Sequence, residues 1–146
     1  MPAPLVSRAD AGLAGALRDA VGRLSRRMRA QRAATDLSLG QLAALRTLEQ
    51  HGPMTASELA AHEKVQPPSM TRILAALEAH GYLSRTPDPT DRRQVVVAAA
   101  APGRALLAEE RRRKDAWLSQ RLRALGPDDI AVLAAAVPVL EKLSRA

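Results

Sequence analysis

The stretch from Met54 to Arg104 holds two helix starts in close succession, and that crowding leaves few folds open. Thr55-Ala-Ser-Glu58 is a capping box: the threonine hydroxyl accepts from a first-turn N–H, and the glutamate reaches back to the cap's own N–H. Met54 and Leu59 flank it at staple spacing. This first helix is expected to stop near Glu63, and Pro67 opens the second, because its fixed φ suits a first turn. Within the second helix Met70, Ile73, Leu74 and Leu77 follow the i, i+3, i+4, i+7 spacing of a core stripe. Pro68, Thr71, Arg72 and Ala75 then point outward, a slim, polar and basic face able to enter a groove. Gly81 suits a left-handed exit from the helix. Tyr82-Leu-Ser-Arg-Thr86 and Arg93-Gln-Val-Val-Val-Ala-Ala99 read as paired strands around Pro87-Asp-Pro-Thr-Asp-Arg92, a run of turn formers. Two helices followed by a two-stranded, arginine-tipped ribbon make a winged helix-turn-helix, which points to DNA.

The run Asp91-Arg-Arg-Gln-Val-Val-Val97, followed by Gly103-Arg104, resembles the wing signature of the MarR (multiple antibiotic resistance regulator) family, D-x-R-x-x-x-V-x-L-T-x-x-G-R. Asp91, Arg93, Val97, Gly103 and Arg104 match in register, and the similar layout extends from about Asp10 to Leu143. Ala99 and Ala100 depart from the family's leucine and threonine, so the last wing strand is expected to bury less and the next helix to lack its usual cap. The resemblance implies a mainly α fold with a small β-hairpin, a winged helix-turn-helix with N- and C-terminal dimerisation helices. On that reading residues 1–146 form a single MarR-like domain. Its winged lobe spans 36–101, and 10–33 with 102–146 make the helical dimerisation lobe.

Charge agrees with a polyanionic partner. The net charge is +7 with a pI near 11.1, and all but three of the 22 basic residues are arginine. Composition alone also fits a soluble, arginine-rich surface; the placement of Arg72, Arg92 and Arg93 decides between the two. Apolar residues make up 47%, but many are alanine, with no Phe, one Tyr and one Trp. A chain this long buries roughly 68–70% of its unfolded surface, yet small side chains make each protomer's core modest and favour a partner subunit. The absence of cysteine excludes disulfides, thiolate catalysis, thiol-based peroxide sensing and the common zinc-finger ligand sets. No apolar run reaches the length of a membrane span, and the N-terminus lacks a signal core. A cytoplasmic protein, associated with the nucleoid through DNA, is expected.

Residues Met1 to about Ala9 read as a loose arm. From Asp10, a plausible N-cap, Leu13, Leu17, Val21, Leu24 and Met28 recur at helical spacing to about Arg32, amid Arg18, Arg23, Arg26, Arg27, Arg29 and Arg32. This basic face reads first as solvated; phosphate contact beside a DNA site and anion capture beside a ligand pocket are its functional readings. Membrane binding ranks last, because the apolar face has no bulky aromatic. Ser38 to Gln41 is a second capping box, with Leu37 and Leu42 as its staple. Its helix turns Leu42, Leu45 and Leu48 inward and ends at Gly52-Pro53. After the wing a long helix runs from Pro102 to about Ala124, its middle, Glu109 to Asp115, read as exposed. Pro127, Asp128 and Asp129 open the last helix in agreement with its dipole. Ile130, Leu133, Val137, Leu140 and Leu143 form its stripe, and Pro138 within it is expected to cause a kink or break. Helices this apolar at both ends of a small domain need a surface to pack on, and the resemblance implies a homodimer.

Catalytic patterns are missing. His62-Glu63 begins a zinc-binding H-E-x-x-H, but Gln66 stands at the second histidine. His51, His62 and His80 lie near helix ends, where solvation or carbonyl capping explains them. No nucleophile elbow, phosphate-binding loop or dinucleotide fingerprint occurs. Neither an enzyme nor a cofactor is expected, and the acidic pair Asp88 and Asp91 belongs to the hairpin turn.

The expected mechanism is a dimeric transcriptional regulator, usually a repressor in the resembled family, on a pseudo-palindromic double-stranded operator. The helix from Pro67 lies in the major groove, with Arg72 best placed for a guanine edge. Ser69 and Thr71 have two readings, a DNA contact or a hydroxyl satisfying the helix's own backbone. Pro68 lies on the same face, and Gln66 either caps the helix or touches DNA. Arg93, at the family's wing position, enters the minor groove, pinned by Asp91 across the turn; otherwise the pair is an ordinary surface bridge. Arg85 and Arg92 are secondary phosphate contacts. The resemblance further implies a small aromatic or lipophilic anionic effector, with Arg23, Arg27 or Arg46 as its counter-charge. The rival readings are a winged-helix protein-interaction module and a protein that coats DNA without sequence preference.

Overall fold

The structure is a computed structural model and describes residues 8–32 and 35–146. The residues 1–7 of the expected N-terminal arm lie outside those described, while Arg8 and Ala9 already belong to the first helix. Six helices and three strands follow in the order α1 (Arg8–Arg29), α2 (Leu39–His51), β1 (Met54–Thr55), α3 (Ala56–Glu63), α4 (Pro67–Ala79), β2 (Leu83–Pro87), β3 (Val95–Ala99), α5 (Ala101–Leu122) and α6 (Pro127–Arg145). They form two compact units, Ala33–Arg111 and Met1–Arg32 with Arg112–Ala146, and the residues of α5 are divided between them.

Local chemistry sets the helix ends in the first of these units. Both capping boxes form. In α2 the Ser38 amide donates to Gln41 Oε1 at 2.9 Å and the Gln41 amide to Ser38 Oγ at 3.2 Å. In α3 the Thr55 amide donates to Glu58 Oε2 and the Glu58 amide to Thr55 Oγ1, each at 3.2 Å. The staple residues Leu37, Leu42, Met54 and Leu59 are all buried. Gly52 leaves α2 at φ 81°, but α3 ends on Lys64 at φ 54°, a left-handed residue that is not glycine. That conformation costs roughly 1–2 kcal/mol and is offset by the Lys64 and Val65 amides bonding back to the last turn of α3.

The sheet has three strands rather than the expected two, in the antiparallel order β1-β3-β2. The unforeseen β1 is two residues long, pairing Met54 with Val97 and Thr55 with Val96. Such a strand is too short to show period-2 alternation, which is why the sequence conceals it. Strand β3 begins at Val95, two residues after the expected Arg93, because the Gln94 amide donates to Asp91 O and the Asp88 amide to Gln94 O, closing the turn first.

Leu42, Leu45 and Leu48 of α2, Leu59 of α3, Met70, Leu74 and Leu77 of α4, Val97 and Ala99 of β3, and Leu107 of α5 pack into one core, with Ile73 half-buried at its edge. The start of α5 lies against β2 at Gly103, where an added Cβ would stand 2.4 Å from the Tyr82 carbonyl oxygen. Arg104 Nη1 donates to the Ala99 carbonyl at 2.7 Å, fastening β3 to α5. The Gly103-Arg104 pair thus has a packing reason. The middle of α5 departs from its expected exposure: Glu110 is buried, and Arg111 grips Glu49 of α2 through two hydrogen bonds, of 2.8 and 3.3 Å.

The second unit comprises α1, the remainder of α5, and α6. Helix α1 begins at Arg8, so Asp10 sits in its first turn, beside the positive dipole end, rather than at the N-cap, and the helix ends at Arg29. Gly126 caps α6, with Pro127 opening it and Asp128 and Asp129 in its first turn. Pro138 does not break it, and the helix is continuous to Arg145. No residue of α1 or α6 is buried. No described helix is long and apolar enough to cross a membrane.

Candidate nucleic-acid interface

Helix α4 buries Met70, Leu74 and Leu77, and this fixes which residues face outward. Gln66, Pro68, Ser69, Thr71, Arg72 and Ala75 are all exposed. Gln66 is the N-cap residue, but its side chain makes no capping bond. Thr71 Oγ1 donates to the Pro67 carbonyl at 3.0 Å, so its proton serves the helix while its oxygen remains an acceptor. Proline at the first two helical positions removes two backbone donors, and together with Ser69 and Ala75 it keeps this face narrow.

At the hairpin tip the Asp91 carboxylate accepts from the Arg93 amide at 3.0 Å and lies 3.7 Å from Arg93 Nε. Asp91 thus caps the turn as well as holding the arginine. The Arg93 side chain is 95% exposed, the form in which a cation is ready for a groove. Arg92 is exposed beside it. Asp88 builds the turn's other side, its Oδ1 accepting from the Thr90 amide and the Thr90 hydroxyl, each at 2.9 Å. These bonds, the amide first and the hydroxyl second, hold the Asp88 carboxyl below its ordinary 3.8.

Arg85 differs from the other arginines of this surface. Its Nε donates to Glu78 Oε2 of α4 at 2.7 Å, tying β2 to the last turn of the outward-facing helix. The sequence reading missed this partner, although opposite charges seven residues apart around Gly81 signal it. The Glu49–Arg111 pair, 62 residues apart, carries no such signal. A further polar lock that the sequence hides joins Thr47 Oγ1 to Glu63 across α2 and α3. His80 caps its helix as expected, Nδ1 lying 2.8 Å from the Ala76 carbonyl, whereas the rings of His51 and His62 meet at 5.0 Å.

The three arginines considered for an anionic ligand do not belong to one unit. Arg23 and Arg27 are on α1, Arg46 on α2. Within the helical unit, Trp117 is flanked by the guanidinium groups of Arg27 at 5.9 Å and Arg121 at 5.3 Å. Ala30, Gln31, Arg32, Arg113, Ala116, Trp117 and Gln120 line an open groove of about 450 Å³ there. A second groove of about 450 Å³ is wholly apolar in character, lined by Leu24, Leu118, Leu122, Ile130, Leu133, Ala134, Ala136, Val137 and Leu140.

A family model described as MarR family matches residues 37–95. An HTH-type transcriptional regulator of Mycobacterium bovis is 42% identical over 131 residues, covering 90% of this chain and 92% of that protein. Among solved structures, a protein of Pseudomonas aeruginosa described as a transcriptional regulator superposes with a TM-score of 0.87 at 32% identity, covering 96% of this chain and 99% of the other. An S. aureus MepR mutant, bound to an oligodeoxyribonucleotide, shares the fold with a TM-score of 0.69 at 17% identity over 90% of this chain and 97% of its own.

Proposed function

The chain belongs to the MarR family of DNA-binding, winged helix-turn-helix transcriptional regulators, and from that premise we propose that it acts as a homodimeric repressor on a pseudo-palindromic operator. Helix α4 enters the major groove, where Arg72 reads a guanine edge and Pro68, Ser69 and Thr71 line the contact. Thr71 acts there as an acceptor, since its proton is engaged by Pro67. Arg93 enters the minor groove, with Arg92 on the neighbouring phosphates. The observation that carries this reading is the Arg93 side chain, 95% exposed on a turn that Asp91 holds closed. A module for protein partners alone has no need of such a cationic tip.

The apolar face of α6 supports the homodimer. Leu133, Val137, Leu140 and Leu143 keep 45%, 54%, 41% and 58% of their surface exposed, a row of large apolar side chains on one helix of the kind that marks an interaction surface. A second copy on a two-fold axis covers it and places two α4 helices on half-sites about one helical turn apart. The open groove beside Trp117, lined by Arg32 and Arg113, supports a small aromatic anion as effector, its charge on guanidinium and its ring beside the indole.

The test is a salt titration of operator binding by fluorescence anisotropy, using duplex from the gene's own upstream region. Arg93→Ala is expected to weaken binding and to flatten the slope of log K against log[salt] by about 1.8, the loss of one phosphate-equivalent contact from each of the two subunits. An unchanged slope and affinity would remove the wing from the mechanism. A footprint spread evenly along the DNA would instead favour coating over operator recognition.

A further inference from the structure

Strand alternation places Leu83 and Arg85 on the same face of the sheet, and their β3 partners on that face, Ala99 and Val97, are buried. Leu83 continues into the core, and Arg85, one pleat nearer the wing, meets the end of α4. There it finds Glu78, seven residues beyond Thr71 and so on the same side of that helix. A carboxylate in the last turn of a helix opposes the negative end of the dipole. The guanidinium offsets this through a short, charge-assisted contact of 2.7 Å. The pair therefore occupies the saddle between the two elements that read DNA. Its arginine is 38% exposed, against 95% for Arg93.

We propose that Glu78 is a specificity-determining residue: by holding the Arg85 guanidinium it keeps that cation off the DNA backbone, so that binding depends more on base reading and less on charge. The inference rests on the DNA-binding reading above. Each arginine that reaches a phosphate adds affinity for any sequence alike. What separates an operator from the rest of a genome is the ratio of specific to nonspecific binding, not affinity itself. In a chain of net charge +7, restraint of a cation beside the recognition helix raises that ratio. Asp91 sits against Arg93 in a different manner: it accepts from the arginine's backbone amide at 3.0 Å, and its looser 3.7 Å ion pair with Nε leaves the arginine side chain 95% exposed.

The test compares the full-length protein with Glu78→Gln, Arg85→Gln and the double variant on operator and on random-sequence duplex, each across a salt series. Glu78→Gln is expected to release Arg85. Binding to random duplex then tightens by about two- to fivefold for each subunit engaged, the range of one exposed charge contact, and the salt slope of the dimer steepens by about 1.8. Arg85→Gln alone leaves the slope unchanged, and the double variant returns to the wild-type slope. Both side chains are partly solvated, and a thermal melt verifies that each variant is folded. An unaltered slope for Glu78→Gln overturns the proposal, as does a slope flattened by Arg85→Gln alone, since Arg85 would then already touch phosphate. Wild-type protein with no salt-dependent DNA binding would instead bring down the functional reading itself.

Discussion

Leu45, Leu59 and Leu77, in the unit spanning 33–111, are wholly buried, whereas Leu133, Val137 and Leu143 of α6 keep 45%, 54% and 58% of their surface exposed. The helical spacing that predicts these stripes is the same in both regions. What differs is the supply of opposing faces. Helix α3, the start of α5 and the sheet pack around α2 and α4 and close over their leucines. The stripes of α1 and α6 find no such enclosure, and neither helix has a buried residue. Amphipathicity in sequence thus establishes that a face needs covering, not whether the same chain covers it.

The strongest way to break this contrast is to charge the open face. Val137→Asp is expected to give a monomer in analytical ultracentrifugation while leaving the winged unit folded by its circular dichroism. If α6 joins two copies, loss of bivalent engagement should weaken operator binding by about 100-fold or more. A dimer that survives this change would show that the exposed stripe is not the seam. The matching change in the closed core is Leu45→Ala, expected to lower stability by about 2–5 kcal/mol. Its effect, measured by urea unfolding, should not depend on protein concentration. The Val137→Asp effect is tied to subunit association, and wild-type stability should rise with concentration.

A smaller effect tests where the closed core meets α5. The Gly103→Ala methyl would stand 2.4 Å from the Tyr82 carbonyl and 3.1 Å from Leu45 Cδ1. The oxygen is backbone, already bonded to the Ala100 amide at 2.9 Å, so the helix must move instead. A loss of about 1–3 kcal/mol is expected, as for other overpacked sites. The melting temperature of Gly103→Ala against that of Ala105→Gly checks it, because the second change alters helix propensity at an exposed position without a clash. Equal losses would deny the close approach any special role.

Much of this architecture was legible because it rests on local chemistry. Ser38 with Gln41, Thr55 with Glu58, and Pro67 each mark a helix start within a few residues, and all three begin where the sequence places them. The outward face of α4 followed from its core stripe alone. What escaped depends on chain returning from far away. The two-residue β1 exists only because Val96 and Val97 arrive beside it. The exposed reading of α5 failed at Glu110 because a charged run hides which of its members faces inward. The Glu78–Arg85 bridge is the exception: only seven residues separate its members, but they belong to different elements, and the sequence alone puts Arg85 on phosphate instead. Pro138 lowers helix propensity, but in α6 eleven residues before it and seven after continue the helix across the lost bond.

The wing turn follows neither pattern, since its own hydrogen bonds order it. Asp88 receives two bonds from Thr90, and Asp91 receives the Arg93 amide. The Thr90 amide, then its hydroxyl, favour the charged Asp88 carboxylate, which is why Asp88 lies below its ordinary 3.8. The sign follows: the contribution is complete above the unfolded value and is lost as pH falls through the lower, folded one. Between pH 5 and 8 the Asp88 contribution should therefore stay constant. The Thr90 amide resonance is expected to titrate with a midpoint below 3.8, while Asp88→Asn speeds hydrogen exchange at Thr90 and leaves the global unfolding transition in place. A midpoint at or above 3.8, or a global loss of stability, would mean that the tip shares its order with the leucine core rather than holding its own shape.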